Sequence, residues 1–321
     1  MKLGLFTPLF AKLSFVDLLK ELKLYPEITA LEIGCGGWPG ASHINPAELL
    51  ASAAAAKEYR VKLADAGLTI SALSCHGNPV HPDPAIARRE DETFKQTVRL
   101  AEALEVPVVV TFSGCPGASA DDKTPNWITA AWPPEFAQGL EWQWSERLVP
   151  YWIAAEKMAA AAGVKIALEA HPGFCVYNPE TLLKLRSATG KSLGINLDPS
   201  HLWWQQIDIP EAIAELGDAI FHFHAKDVAV NPARVGVNGV LDTKSYTQLR
   251  ERSWLFRSVG WGHSEIEWKK IASALRLVGY DYVMSIEHED ALMSTHEGLS
   301  SAIGMLSRVL MKEEAVEAWW V

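Results

Sequence analysis

Four short apolar runs in the second half of the chain each end on a side chain that can take a proton or hold a cation. Lys165-Ile166-Ala167-Leu168 closes on Glu169, followed by Ala170-His171. Gly194-Ile195-Asn196-Leu197 closes on Asp198, with His201 three residues on. Phe221-His222-Phe223 closes on His224, followed by Ala225-Lys226-Asp227, and Val283-Met284-Ser285-Ile286 closes on Glu287, followed by His288-Glu289-Asp290. A charged group ending an apolar strand is costly unless it is paired, hydrated or bound to a metal. One such residue would mean little, because helix N-caps and surface carboxylates look the same. Four of them, if their strands lie parallel in one sheet, point at the same end and at each other. Three carboxylates that close repel and raise one another's pKa values unless a cation neutralises them. Glu169, Asp198, His224 and Glu287 are therefore read as ligands of one divalent metal ion; the alternative is a purely structural carboxylate network. An oxygen-rich set with one imidazole suits Mn2+ first, then Mg2+, with Co2+ or Zn2+ compatible.

The elements that would position these residues alternate along the whole chain. Apolar, β-branched runs predict strands at 3–7, 30–33, 68–74, 108–112, 165–169, 193–197, 219–224 and 282–287. Helical spacing predicts helices at 14–24, 46–66, 84–104, 146–162, 179–187, 210–216, 268–278 and 295–311. Strands separated by helices imply parallel pairing. Eight such units in about 300 residues match a closed (β/α)8 TIM barrel, here a single domain over 1–321. An open doubly wound sheet is the rival; no GxGxxG follows the first strand and no GxxxxGK[ST] occurs, which removes its nucleotide-binding forms. Two long connections, 113–141 after strand four and 227–267 after strand seven, fall on the carboxyl-terminal face, where TIM-barrel active sites are built. They are expected to form a lid.

Bulk properties narrow the partners. The 321-residue chain carries a formal net charge of -10 and no basic run, which argues against nucleic acid or an anionic membrane surface. No stretch approaches 18 uninterrupted apolar residues, so no spanning helix is expected. The first residues lack the apolar core and cleavage site of a signal peptide. Cys35, Cys75, Cys115 and Cys175 show no CxxC pair and no zinc-finger spacing, and read as reduced thiols of a cytoplasmic protein. Thirteen Trp exceed the usual allotment. Their faces suit the C–H faces of sugar rings, but for any one of them packing is the simpler reading.

The ordered set Glu169, Asp198-x-x-His201, His224-x-Lys226-Asp227 and Glu287, with Gly260-Trp261-Gly262-His263 and Trp268 before the last unit, resembles the xylose-isomerase-like superfamily. That group includes sugar epimerases, inosose dehydratases and endonuclease IV. The resemblance spans nearly the whole chain and is specific for the superfamily rather than for a substrate. It implies metal ligation by Glu169, Asp198, His224 and Glu287, with Glu169 and Glu287 also moving the proton, and with His201 binding a substrate hydroxyl. The implied reaction is isomerisation or epimerisation of a sugar or keto-sugar by proton abstraction alpha to a carbonyl, through an enediolate beside the cation. Such a step needs a base, a polarised oxygen and an electrostatic partner. The closest rival is a lyase or dehydratase, in which the same first step becomes β-elimination from an inosose or a 3-oxo-glycoside, C-glycosides included. Endonuclease IV-like repair uses three metals and a basic duplex surface, which the acidic balance disfavours. A non-catalytic sugar-binding role is the last reading.

Around the four ligands, further substrate contacts are expected from His76 after strand three, Trp38 after strand two, Lys226, and Arg257 and His263 in the long connection after strand seven. Lys226 and Asp227 could instead orient His224. His171, His222 and His288 read as packed or supporting, and His43, His81 and His296 as surface residues. Self-association or a helper-subunit role is compatible with exposed Trp.

Overall fold

In the computed structural model, which describes residues 1–321, eight parallel strands close into a barrel. In chain order the strands are β1 (Lys2–Phe6), β2 (Ala30–Gly34), β3 (Thr69–Ser74), β4 (Val108–Phe112), β5 (Lys165–Glu169), β6 (Leu193–Leu197), β7 (Ile220–Ala225), β8 (Asp227–Val230), β9 (Trp254–Arg257) and β10 (Val283–Ile286). The barrel runs β1-β10-β7-β6-β5-β4-β3-β2, and β8 and β9 form a separate antiparallel pair. Barrel strands buried on both faces need continuous apolar runs, and β2, β6 and β10 are buried at every position. All eight barrel strands match the sequence reading to within about two residues, the usual scatter of element ends.

Helices cover the outer face, and the chain writes their starts clearly. Asn178 and Ser264 begin capping boxes, and Ser14, Asp83, Asp208 and Ser294 each accept a first-turn N–H. Capping of this kind satisfies amides that have no partner within the helix. The expected single helix over 46–66 is instead two, Pro46–Ala51 and Ala53–Asp65. Ser52 stands between them in extended conformation (φ −142°, ψ 108°), its Oγ accepting from the Ala55 N–H at 3.2 Å. The side chain has given the backbone a cap in place of a continued turn.

Both long connections hold more structure than expected. The one after β4 contains a helix, Pro134–Trp142, that runs through a π-helical stretch into Val149–Ala161. Its loop portion is pinned by the buried Gln143 amide, which donates to the carbonyls of Gly117 at 3.1 Å and Asn126 at 2.6 Å. The connection after β7 contains the β8–β9 ribbon and the short helix Pro232–Asn238.

Inside the barrel the side chains are layered. At the amino-terminal end sits a small apolar cluster of Ala72, Val108, Val110, Ala167 and Phe221. Above it lies a polar layer of Glu32, Ser71, Ser74, Asn196, His222, His224 and Ser285, every one at most 1% exposed. TIM-barrel interiors are usually filled by branched aliphatic residues, so this layer needs its own explanation. The β6–β7 pairing contributes: Ile195 pairs with Ile220 but Asn196 pairs with His222, so the register skips Phe221. His222 and His224, two apart, then share the inner face.

Candidate metal and substrate site

At the carboxyl-terminal mouth, one ligand atom each from Glu169, Asp198, His224 and Glu287 falls within 4.8 Å of the others. His224 Nδ1 lies 2.8 Å from Glu287 Oε2 and 3.2 Å from Glu169 Oε2. His201 Nε2 sits 3.1 Å from Glu169 Oε1 and 3.2 Å from Asp198 Oδ2. His76 Nε2 approaches Glu169 Oε2 at 3.0 Å, and the Asn196 amide donates to the same oxygen at 3.1 Å. Lys226 brings its ammonium within 3.0 Å of both Asp198 Oδ2 and Glu287 Oε2, and 3.2 Å from Glu289 Oε2.

Electrostatics follow from this crowding. Burial opposes the Glu169 carboxylate, yet the nearby His224 charge and the hydrogen bonds with His201 and His76 hold it well below its ordinary value. Asp198 is likewise buried, and Lys226 with His201 keeps it ionised. Burial would neutralise His201, but Asp198 outweighs it and lifts the imidazole to about 9. Lys226 is driven well above its usual range by Asp198, Glu287 and Glu289, against the same opposing burial.

The hydrogen bonding of the donor set leaves a place for a cation. Asp198 Oδ2, His224 Nδ1 and Glu287 Oε2 are buried atoms with no hydrogen-bond partner. Their close neighbours, Lys226 among them, approach without hydrogen-bond geometry. Buried polar atoms are nearly always satisfied, so three orphans from three residues facing one point need a missing partner. Three carboxylates and one imidazole around that point fit a divalent ion held through oxygen-rich ligation.

Flat rings surround the cluster. Phe6 lies 5.9 Å from His76, His76 4.5 Å from Phe112, and Phe112 stacks on Phe174 at 4.2 Å. His171 packs 4.1 Å from His201, which meets Phe256 edge-on at 5.3 Å. Phe256 belongs to β9 and carries Lys226 over its face at 4.6 Å. The connection after β7 therefore reaches over the barrel mouth.

Of the residues read from sequence as substrate contacts, His76, His201 and Lys226 lie in the cluster. Trp38 does not join it: the side chain is 81% exposed, although its amide donates to the His76 carbonyl at 2.8 Å. Arg257 is committed to Asp290 at 2.9 Å and lies against Trp261. His263 is stacked on Trp203 at 3.7 Å and bonded to Asp227 at 2.7 Å. Asp227 itself turns away from the mouth. It accepts from the amides of Val228, Gly260, Gly262 and His263, and from the Trp268 indole. Gly260 adopts φ +89°, and a Cβ at Gly262 would fall 2.1 Å from the Val228 carbonyl oxygen, so both glycines are required by the knot around Asp227. His43, read as a surface residue, is buried, with Nε2 3.0 Å from the Phe10 carbonyl. The four cysteines are buried and unpaired with one another by disulfides.

Three residues of the neighbourhood escaped the sequence reading. Glu32 lies inside β2, Asn196 inside β6, and Phe256 in the connection after β7. A carboxylate within Ala30-Leu31-Glu32-Ile33 was the available signal for the first, since a buried strand excludes an unpaired charge. Phe256 offered none, because an aromatic in a long connection carries no direction.

Comparison with known proteins agrees with this architecture. A protein 41% identical over 314 residues, covering 97% of this chain and 99% of its own length, is the "Uncharacterized protein YfiH" of Bacillus subtilis (strain 168). Among solved structures, the probable 3-DHS dehydratase AsbF of Bacillus anthracis superposes with a TM-score of 0.65 at 19% identity, over 96% of this chain and 99% of that one. A D-tagatose 3-epimerase-like protein gives 0.64 at 20%, over 96% and 98%. IolI with a bound zinc atom gives 0.63 at 20%, over 98% and 100%. No helix is long and apolar enough to cross a membrane. The family model for the xylose isomerase-like TIM barrel matches residues 28–309, and the chain belongs to that family.

Proposed function

We propose that this protein is a divalent-metal-dependent enzyme that moves a proton alpha to the carbonyl of a sugar or keto-sugar, as an isomerase or epimerase. The observation that carries the reading is the convergence of Glu169, Asp198, His224 and Glu287 with three orphaned ligand atoms. These four side chains would hold the cation, with Mn2+ the first choice by ligand type. When bound, such an ion polarises a carbonyl oxygen and lowers the cost of the charge that develops on it.

The rest is work for this chain's own groups. Glu169, ionised at neutral pH, would take the proton from the carbon beside the carbonyl. Glu287 would return one from the other side, which inverts that centre; return to the neighbouring carbon exchanges the carbonyl position. His201 Nε2 and the Lys226 ammonium are proton donors placed to hold substrate oxygens. The surrounding rings exclude water and offer flat apolar faces to a sugar ring.

Charge supports an uncharged substrate. With Glu287 carrying the proton it returns and His224 neutral as a ligand, Glu32, Glu169, Asp198 and Glu289 contribute four negative charges against the positive charge of Lys226. A divalent ion and a protonated His201 still leave no positive surplus for a phosphate or carboxylate. Similarity to an epimerase-like structure and to IolI favours the same class.

The lyase reading is kept because of Lys226. Its ammonium sits 3.0 Å from Glu287, and a departing oxygen one carbon beyond the enediolate would need such an acid. The deciding experiment incubates Mn2+-loaded protein with free ketoses, inosose and 3-oxo-glucosides in D2O. Deuterium uptake at carbon without loss of a group supports the isomerase or epimerase; release of water or an aglycone moves the assignment to elimination. Absence of both with every substrate, in protein shown to bind Mn2+, overturns the proposal.

A further inference from the structure

The polar layer beneath the mouth has no part in the chemistry just described, and its geometry assigns it one. Glu32 Oε2 lies 2.7 Å from His224 Nε2 and accepts from the Ser285 hydroxyl at 2.9 Å. Its other oxygen accepts from the Ser74 hydroxyl. Glu32 is fully buried, 192 residues away from His224 in sequence, and approaches it across the barrel. We infer that Glu32 is a positioning residue for the cation site, fixing His224 so that Nε2 carries the hydrogen and Nδ1 presents its lone pair at the mouth. The inference rests on the cation site proposed above.

Three observations carry it. First, His224 Nδ1 is the buried, partnerless nitrogen, while Nε2 is fully engaged with Glu32. Nδ1 also lies near Glu287 and Glu169 but without hydrogen-bond geometry, so the nitrogen bonded to Glu32 is the one that carries hydrogen, which leaves the other as the ligand. Secondly, Glu32, His222 and His224 also lie close enough to suggest a second metal site, but no atom of Glu32 or His222 is left without a partner. Both Glu32 oxygens are occupied by hydroxyl and imidazole donors, as those of a supporting group are and those of an open ligand are not. Thirdly, the layer supports a second ligand by the same device. His222 lies with Nδ1 3.1 Å from Asn196 Oδ1 and Nε2 3.2 Å from the Ser71 hydroxyl. Asn196 in turn donates to Glu169 Oε2. A donor from His222 fixes which way the Asn196 amide faces, and that amide fixes one oxygen of Glu169.

A supporting partner of this kind typically contributes 10–100-fold in metal affinity. The test uses Zn2+, which is diamagnetic, as the probe. Titration calorimetry on the full chain should show Glu32→Gln binding Zn2+ at least about tenfold more weakly than the unaltered protein; the metal-free variant should melt lower, because the Gln amide nitrogen would face donors that now meet a Glu32 oxygen. In the Zn2+-loaded unaltered protein, with nitrogen-15-labelled histidine, His224 should show a metal-bound Nδ1 and a hydrogen on Nε2. This second measurement needs no variant and therefore survives a Glu32→Gln that does not fold. Equal Zn2+ affinity of the two proteins, or zinc on Nε2, overturns the role given to Glu32. If Asp198→Asn leaves Zn2+ binding unchanged, the cation site itself is wrong and the inference falls with it; if Asp198→Asn abolishes binding and Glu32→Gln does not weaken it, only the inference falls.

Discussion

Asp198 and Asp227 are both buried aspartates just beyond neighbouring barrel strands, the first directly after β6 and the second two residues after β7 at the start of β8, yet they are provided for in opposite ways. Asp227 is saturated: four backbone amides, an indole and an imidazole converge on its two oxygens. Asp198 has one backbone amide, from Ser200 at 2.8 Å, on Oδ1, and Oδ2 has none. A carboxylate whose every lone pair is met by a fixed donor holds structure together. One left short of donors, among other carboxylates also left short, is prepared for a partner that the polypeptide does not supply. Both are buried carboxylates; donor count separates them.

The largest losses are expected at Glu169 and Glu287, the pair proposed to move the proton. Glu169→Gln and Glu287→Gln should each lower the rate of deuterium exchange at the substrate carbon by at least about 100-fold, as such groups typically contribute, with the far-ultraviolet circular dichroism unchanged. A variant that keeps more than about a tenth of the rate would remove that residue from acid–base work. Next comes the aspartate contrast itself. Asp198→Asn should weaken Mn2+ binding by about 100-fold or more, beyond what loss of an outer partner does, and leave the metal-free melting temperature nearly unmoved. Asp227→Asn should do the reverse. Its amide nitrogen would face donors, and orphaned buried donors cost about 1–3 kcal/mol each, so the melting temperature should fall by several degrees while Mn2+ affinity holds within about threefold, roughly 0.7 kcal/mol. Equal responses of the two variants in both assays would show that donor count does not sort the aspartates. Smallest are the residues outside the cluster. His263→Ala should cost about 1 kcal/mol of stability through its lost bond to Asp227. Trp38→Ala should leave both stability and exchange rate within about twofold, since a substitution on so exposed a side chain rarely costs more than about 0.5 kcal/mol.

Much of this was legible in the chain. The barrel strands were, because runs such as Val108–Phe112 and Leu193–Leu197 are apolar on both faces and helices with clear caps separate them. The four mouth residues were legible for the same reason, as charges that end apolar strands stand out. What lay hidden was orientation. His263 and Lys226 each carry a charge-capable group near the same connection, but one stacks on Trp203 and the other enters the cluster. Nothing local distinguishes them, since each direction depends on partners far away in sequence. The polar layer was hidden differently. Glu32, Ser74, Asn196 and Ser285 look like isolated interruptions of separate strands and become a layer only once the barrel closes. Ser52 shows the opposite failure, where a purely local contest between a hydroxyl and the next helical turn broke an otherwise uniform Ala-rich run.

The knot at Asp227 has a bearing on how such a protein can diverge. One carboxylate grips the chain where it leaves the barrel, at Val228, and again where it comes back, at Gly260 through His263. The segment between those two grips is a closed bight whose ends do not depend on its contents. Lengthening such a bight costs only about 0.6 kcal/mol per doubling, so residues could be added or removed around Phe256 without disturbing the strands that carry the acids. The rim and the candidate site below it are thereby free to evolve on separate schedules.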